Sequence, residues 1–187
     1  RLEGIKFTDG LTKAKDFMWL KEKYGMLIGL THLGIELDEP LANAYPQIDL
    51  IIGGHSHTTM TKPMMVNDVM IVQTGSGLKN VGITTLQVTK GKITDRKYEL
   101  VPLASIKGTK PEVQAAIDKY NSNEEMSRVV AYAETAFANE EELGCMMTDA
   151  ITARMKIDFA FQNGGGIRIE NLPQGNIMLK DIFRLDP

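Results

Sequence analysis

Cysteine is nearly absent from this sequence, since only Cys145 among its 187 residues is a cysteine. One cysteine forms no internal disulfide, and it cannot by itself build a thiolate metal site. No run of about 18 or more apolar residues occurs, and no basic segment precedes an apolar one at the N-terminus. The sequence therefore predicts no disulfide framework, no membrane span and no signal peptide.

The sequence also lacks an excess of positive charge. It has 21 Lys and Arg against 24 Asp and Glu, which gives a formal net charge of -3, and the basic residues form no dense cluster. This balance argues against a surface for nucleic acid polymers or anionic membranes. Apolar residues make up 43% of the chain, a share that is ordinary for a globular protein with a packed core.

Hydrophobic patterning in the first part of the chain predicts a strand, helix, strand unit. The runs Met26–Leu30 and Ile48–Ile52 are short and continuously apolar, as expected of parallel strands that are buried on both faces. Residues Glu36–Ala44 predict a short helix between them, and Thr12–Tyr24 predict an amphipathic helix that stops at Gly25. A right-handed crossover brings the carboxyl ends of two such strands to the same edge of a sheet.

After this unit the pattern predicts an antiparallel meander and then a second domain. The meander comprises the β segments Val69–Gln73, Gly82–Val88 and Ile93–Leu100. A helix opened by Pro111 and the polar stretch that follows it are typical of a domain boundary. We therefore divide the chain into a first domain at residues 1–107, an interdomain helix and linker at 108–125, and a second domain at 126–187.

The second domain is predicted to mix strands and helices. The strands are expected at Val129–Glu134 and Ile157–Phe161, and the helices at Leu143–Met155 and from Lys180 to Arg184. The whole chain is thus predicted to be an α/β protein.

All three histidines of the chain, His32, His55 and His57, follow the two predicted buried strands. Ligands of open α/β sheets bind at the carboxyl edge where these strands end. Side chains two residues apart in an extended segment start roughly 6 to 7 Å apart, a spacing that suits two metal ions with one imidazole on each. The alternative is that the histidines are hydrogen-bonded structural residues that never bind metal.

Four short blocks, taken in order, resemble those of a known enzyme family. Thr31-His32-Leu33-Gly34 and Gly53-Gly54-His55-Ser56-His57-Thr58 resemble the last two metal-binding blocks of calcineurin-like metallophosphoesterases. Asn163-Gly164-Gly165-Gly166-Ile167-Arg168 and the segment from Asp181 to Pro187 resemble the C-terminal domain of the 5'-nucleotidase family. The resemblance implies part of a metallophosphoesterase sandwich, with a βαβ unit and antiparallel strands, followed by the start of an α+β substrate-binding domain.

The same resemblance implies the chemistry. Members of this family hydrolyse nucleotide-type phosphomonoesters with a water activated by two divalent ions such as Zn²⁺, Mn²⁺ or Co²⁺. His32 and His55 would bind one ion and His57 the other, and the substrate would contact the residues Asn163, Gly164, Gly165 and Arg168. The chain itself does not indicate a compartment, although the family resemblance suggests a secreted, periplasmic or cell-surface parent protein.

The sequence departs from the family in what it lacks. The earlier metal-binding blocks, an Asp-x-His, a Gly-Asp and a Gly-Asn-His, are absent, so no carboxylate is available to bridge two ions. The nearest acids, Glu36, Asp38 and Asp49, are interpreted as helix-terminal or surface charges. Because three neutral imidazoles do not offset two divalent cations, we expect a fragment that is inactive without the N-terminal part of the same protein. No catalytic residue beyond the metal ligands is expected in it.

An alternative interpretation is a protein with the same fold that binds a ligand but does not catalyse a reaction. In it the chain is a binding module that uses Asn163 and Arg168 to hold a nucleotide or a phosphorylated ligand, because the guanidinium of Arg offers a planar fork of donors for phosphate. A second departure bears on nucleotide specificity, since Glu142 stands where the family usually has Asn.

Overall fold

The computed structural model describes residues 4–187 and divides into two compact units, Arg1–Gly108 and Thr109–Pro187. The elements of the first unit are α1 (Gly10–Ala14), α2 (Trp19–Tyr24), β1 (Ile28–Leu30), α3 (Ile35–Ala44), β2 (Leu50–Ile52), β3 (Met64–Val66), β4 (Val69–Val72), β5 (Asn80–Thr89) and β6 (Lys92–Pro102). Those of the second unit are α4 (Pro111–Asn121), β7 (Val129–Ala133), α5 (Glu140–Met155), β8 (Gly175–Met178) and α6 (Leu179–Leu185). None of the helices in the described part of the chain is both long enough and apolar enough to span a lipid bilayer.

A mixed four-stranded sheet organises the first unit. Its strand order is β1-β2-β4-β3, with β1, β2 and β4 parallel and β3 antiparallel to β4. The core on this sheet includes the fully buried Ile51, Val69 and Ile71, against which α3 packs Leu41 and Ala42. The predicted α/β class and the βαβ unit are therefore confirmed.

The prediction that the first strand is buried on both faces is wrong. Ile28 is 46% exposed and Leu30 is 85% exposed. The reason is position: β1 lies at the edge of the sheet, and among the described residues only β2 pairs with it. A continuous apolar run does not distinguish an edge strand from a central one.

The predicted meander is confirmed only for its last two strands. β5 and β6 form a hairpin whose turn places Lys90 and Gly91 at φ 50° and 75°, as the tight primed turns of hairpins require. The segment Val69–Val72, by contrast, is a central strand that runs parallel to β2, and β3 was not predicted at all. β4 is buried at each of its four residues, which fits a central position.

The single helix predicted at Thr12–Tyr24 is divided in the structure into the two short helices α1 and α2. Helix α1 begins at Gly10, where the side chain of Asp9 accepts a hydrogen bond from Thr12 N (2.7 Å). A hydrogen bond from the Thr12 hydroxyl and this bond from the Thr12 backbone hold the pKa of Asp9 below its usual value. A 3₁₀ turn at Lys15–Phe17 separates α1 from α2, and α2 ends at Gly25 with φ 76°, as predicted.

The second unit has its own small core. β7 pairs antiparallel with β8, which was not predicted, and α5 carries the fully buried Leu143. The buried side chains of this core are Ala133, Leu143, Leu172, Ile177 and Leu185. The expected strand at Ile157–Phe161 is wrong, because no described strand pairs with it and both of its phenylalanines are exposed.

Candidate functional site

Three parallel strands end side by side at one edge of the first unit. The backbone ladder continues past the strands, with Thr31 N donating to Ile52 O (3.0 Å) and Gly53 N donating to Val72 O (2.9 Å). The segments that leave this edge therefore start next to one another, and they carry His32 after β1 and the Gly53–Thr58 loop after β2. Gln73 follows β4 at the same edge.

The structure brings two of the three histidines together. The ring centroids of His32 and His55 lie 5.2 Å apart, with the ring planes at 66°. His32, His55 and His57 are all exposed residues. Within residues 4–187 no group of three or more His, Cys, Asp or Glu side chains is close enough to hold one ion.

The loop between the histidines is not extended. His55 has φ 76° and His57 has φ 54°, so both residues adopt the left-handed conformation that non-glycine residues seldom take. The side-chain spacing expected for an extended segment therefore does not apply to this pair. Such conformations cost about 1 to 3 kcal/mol each and persist only where the surrounding contacts impose them.

Gly53 and Gly54 allow the backbone to pass through a crowded place. A Cβ atom at Gly53 would overlap the Asp38 carboxylate and lie 3.2 Å from Gln73 Nε2, and one at Gly54 would lie 3.0 Å from His32 Nδ1. Both positions are therefore restricted by close packing and not only by turn geometry.

Asp38 is not the surface charge that the sequence suggested. Its side chain is fully buried, and neither carboxylate oxygen has a hydrogen-bond partner among the described residues. Burial raises the pKa of Asp38 above its usual value, the nearby Thr31 hydroxyl lowers this pKa, and the charge of Glu36 raises it further. Thr31 is close enough to favour the ionised form but makes no hydrogen bond in the described geometry.

Asp49 is likewise more than a surface charge. Its carboxylate accepts a hydrogen bond from Leu27 N (2.8 Å) and pairs with Lys21 Nζ (2.7 Å), and it is largely shielded from solvent. These bonds join α2 and the start of β1 to the residue that precedes β2. Asp49 therefore supports the sheet, and Glu36 remains an exposed residue in the first turn of α3.

Gln73 is the residue near this edge that the sequence analysis missed. Its side chain is 1% exposed, its Oε1 accepts hydrogen bonds from Thr58 N (2.5 Å) and Ser56 Oγ (3.1 Å), and its Nε2 donates to Gly54 O (3.2 Å). The available signal was a polar residue directly after an apolar strand. That pattern also fits an ordinary loop residue, so the sequence alone does not single it out.

The residues predicted to contact substrate lie together in the second unit. Gly164–Gly166 form a 3₁₀ turn in which Gly166 N donates to Asn163 O (2.9 Å). Asn163 and Arg168 stand at the two ends of this turn, and both are exposed. A shallow groove of about 540 Å³ runs beside the turn, between α5 and the segment Ala160–Gln162.

Glu142 has a structural role that explains the departure at this position. Asn139 caps α5 by accepting a hydrogen bond from Glu142 N (2.9 Å), and Glu142 Oε2 accepts one from Ala138 N (2.7 Å). The pair satisfies two backbone donors, the N–H of Glu142 in the first turn of α5 and the N–H of Ala138 just before the helix cap. A carboxylate at position 142 is thus accounted for without a role in substrate binding.

Comparisons with known proteins agree with these features. The family model described as 5'-nucleotidase, C-terminal domain, matches residues 119–187. The trifunctional nucleotide phosphoesterase protein YfkN of Bacillus subtilis is 30% identical over 210 residues, which covers 99% of this chain and 14% of that protein. A 5'-nucleotidase of Vibrio cholerae is 25% identical over 243 residues, covering 98% of this chain and 44% of that protein.

A solved structure extends the likeness to the fold. The 5'-nucleotidase precursor from Thermus thermophilus superposes with a TM-score of 0.75 at 25% identity, covering 97% of this chain and 42% of that one. The chain thus spans less than half the length of each of these three proteins. The resemblance predicted from the motifs is confirmed: residues 119–187 match the family model for the 5'-nucleotidase C-terminal domain, and the chain is similar to 5'-nucleotidases in sequence and in fold.

Proposed function

We propose that this chain supplies part of the metal site and part of the substrate site of a phosphoesterase that hydrolyses nucleotide-type phosphomonoesters. The observation that carries the proposal is the approach of His32 and His55 to 5.2 Å at the carboxyl edge of two parallel strands. In this proposal residues 1–107 are the C-terminal half of the metallophosphoesterase domain, residues 108–125 the interdomain segment, and residues 126–187 the start of the substrate-binding domain.

The donor set at this edge suits a divalent ion of the Zn²⁺, Mn²⁺ or Co²⁺ type. Imidazole nitrogens are common ligands for such ions, and here two exposed rings converge while a third, His57, follows in the same loop. We assign His32 and His55 to one ion and His57 to a second. Two bound ions would lower the pKa of a bridging water and neutralise charge on the phosphoryl oxygens.

The imidazoles of this chain must be neutral to act as ligands. Because a proton competes with a metal ion for an imidazole nitrogen, cation affinity should fall as the pH is lowered. Because no three-ligand group occurs among residues 4–187, the chain is expected to bind cations weakly and to turn over almost no substrate by itself.

Substrate recognition is assigned to the turn in the second unit. Arg168 offers bidentate donors to phosphate or sugar oxygens, and Asn163 offers an amide for polar groups of a base. Gly164 and Gly165 are assigned to the same contact through their exposed backbone, with the Glu140 carboxylate beside Gly164. The names of the relatives, a nucleotide phosphoesterase and 5'-nucleotidases, support a nucleotide as the class of substrate.

Cobalt titration followed by visible absorption tests the metal assignment. His32→Ala and His55→Ala should each weaken Co²⁺ binding by about 10-fold or more, since each removes one ligand of a shared ion. Arg168→Ala is the matched control and should leave Co²⁺ binding unchanged. Equal affinity in wild type and His55→Ala would contradict the assignment.

A phosphate-release assay with a nucleoside monophosphate and added Zn²⁺, Mn²⁺ or Co²⁺ tests the incomplete site. Negligible turnover is expected. Robust turnover that His55→Ala abolishes would show that the chain alone completes the site, contrary to the proposal.

The rival function, a noncatalytic nucleotide or phosphate-binding module, rests on the exposed side chains of Asn163 and Arg168, which can donate hydrogen bonds to such a ligand. Calorimetry separates the two. Nucleotide binding that needs no metal and is lost in Arg168→Ala supports the binding module, whereas binding that requires Mn²⁺ or Co²⁺ supports the phosphoesterase.

A further inference from the structure

A buried amide reaches across the sheet edge into the loop that carries His55 and His57. Gln73 follows β4, the third of the parallel strands, and its side chain bonds to Gly54, Ser56 and Thr58. These three residues alternate with the two histidines: one precedes His55, one lies between the histidines, and one follows His57. A single side chain is thus bonded on each side of both imidazoles.

The hydrogen bonds of the Gln73 side chain occupy both acceptor positions of its amide oxygen. Oε1 has two lone pairs and accepts two hydrogen bonds, one from a backbone N–H and one from a hydroxyl, while Nε2 donates to a carbonyl. Because Gln73 is 1% exposed, water does not replace these partners, and a lost bond would leave a buried polar group unsatisfied.

The network also reaches the loop of the other histidine. Ser56 Oγ, which donates to Gln73, accepts a hydrogen bond from Ile35 N (3.1 Å). Ile35 is the first residue of α3 and lies three positions after His32. The chain of bonds from Gln73 through Ser56 to Ile35 therefore connects the two segments on which His32 and His55 stand.

We propose that Gln73 is a positioning residue: by bonding Gly54, Ser56 and Thr58 it holds His55 and His57 in their left-handed conformations and fixes His55 against His32. This inference rests on the proposed function in one respect only, namely that the histidines bind a cation. The contacts themselves exist without metal. Replacing a residue that holds a metal ligand in place without touching the metal typically changes metal affinity by about 10 to 100-fold.

An amide is required at this position because one end must accept and the other must donate. Gln73→Met keeps the length and the apolar stem but makes none of the three bonds. Gln73→Glu keeps the acceptor for Thr58 N, but its second oxygen faces the carbonyl of Gly54, with which it forms no hydrogen bond when ionised.

The experiment uses the whole chain and two measurements on each variant. Amide hydrogen exchange of Thr58 in the absence of metal reports whether the loop is held, and Co²⁺ titration reports whether the ligands are placed. Gln73→Met should raise the exchange rate of the Thr58 amide by about 10-fold or more and weaken Co²⁺ binding by about 10 to 100-fold. Gln73→Glu should keep Thr58 protected and weaken Co²⁺ binding by a smaller factor.

Val69→Ala is the control for simple loss of stability. Val69 is fully buried at the opposite end of the β4 segment, so its truncation lowers the melting temperature without touching the loop. Thr58 protection and Co²⁺ affinity should stay within about threefold of wild type, since sites without shared partners act independently. If Val69→Ala reduces Co²⁺ affinity as much as Gln73→Met does, the effect is one of stability and the positioning role is overturned.

Other outcomes also decide the matter. Unchanged Thr58 exchange and Co²⁺ affinity in Gln73→Met overturn the proposal, and so does tighter Co²⁺ binding in Gln73→Glu, which would mean that charge and not placement governs the site. If Gln73→Met does not fold, Ser56→Ala removes the hydroxyl that bonds to Ile35, Gln73 and Thr58, and it should still weaken Co²⁺ binding. If wild type binds no Co²⁺, the proposed function fails, while Thr58 exchange still determines whether Gln73 holds the loop.

Discussion

The two candidate sites differ in how firmly their surroundings hold them. The loop with His55 and His57 is held by hydrogen bonds to the buried Gln73 side chain, and Gly53 packs closely against the Asp38 carboxylate. The turn from Asn163 to Arg168 is held by backbone hydrogen bonds, and the two side chains that would contact a ligand are exposed. The difference fits their assigned tasks, because metal ligands need fixed distances whereas a turn that meets a substrate can adjust to it.

The largest effect on stability is expected when a glycine of the histidine loop is replaced by alanine, compared with the same replacement in the exposed turn of the second unit. Gly53→Ala should destabilise the chain by about 1 to 3 kcal/mol, because the new Cβ meets the buried Asp38 carboxylate and Gln73 Nε2. Gly165→Ala is the matched change in the exposed turn, where the new Cβ would lie 3.4 Å from Asn163 Nδ2, an ordinary contact. Urea unfolding of both variants checks the difference, and equal losses would show that the two loops are packed alike.

A smaller effect, of opposite sign, is expected at Asp38. Its native pKa is raised above the ordinary 3.8, so the native state keeps a proton that the unfolded state has lost, and stability falls as the pH rises from about 4 to the native pKa. Asp38→Asn removes the buried charge and should stabilise the chain at about pH 7 by roughly 1 to 2 kcal/mol.

Thermal unfolding over a range of pH measures this gain. The difference between Asp38→Asn and wild type should shrink toward zero below about pH 4, where the carboxyl is protonated in both states. A destabilised Asp38→Asn variant at neutral pH would mean instead that the carboxylate serves as a bonded acceptor in the native state.

The smallest of the three effects concerns the second unit. Asn139→Ala should cost about 1 kcal/mol because it removes the side-chain cap of α5. Asn163→Ala makes a useful control, since Asn163 precedes the 3₁₀ turn without making a side-chain cap. It should change stability by less than about 0.5 kcal/mol, as surface substitutions usually do. Comparable losses in the two variants would show that the exposed turn is anchored by its asparagine after all.

The sequence predicted those elements whose pattern is local. The βαβ unit, the hairpin with Lys90 and Gly91 in its turn, and helix α5 all follow from periodicity and turn residues. The approach of His32 to His55 followed from the rule that parallel strands end at one edge. These predictions needed no knowledge of distant contacts.

What the sequence did not predict depends on which segments become neighbours. The apolar runs of β1 and β4 look alike, yet β1 is an edge strand and β4 a central one. Asp38 looks like any acid in the first turns of a helix, but its carboxylate is buried next to Gly53, a residue 15 positions later in the sequence. The side chain of Gln73 is hydrogen-bonded to three residues that lie 15 to 19 positions earlier in the sequence. No local sequence pattern predicts such contacts.

The positive φ angles of His55 and His57 have a consequence for which replacements the loop tolerates. Asn and Asp adopt this backbone region more readily than most residues, whereas β-branched side chains are penalised in it. An asparagine at position 55 should therefore preserve the path of the chain while deleting the imidazole, and a valine there should distort the path as well. The contributions of backbone conformation and of ligand chemistry can thus be measured separately at one position of this loop.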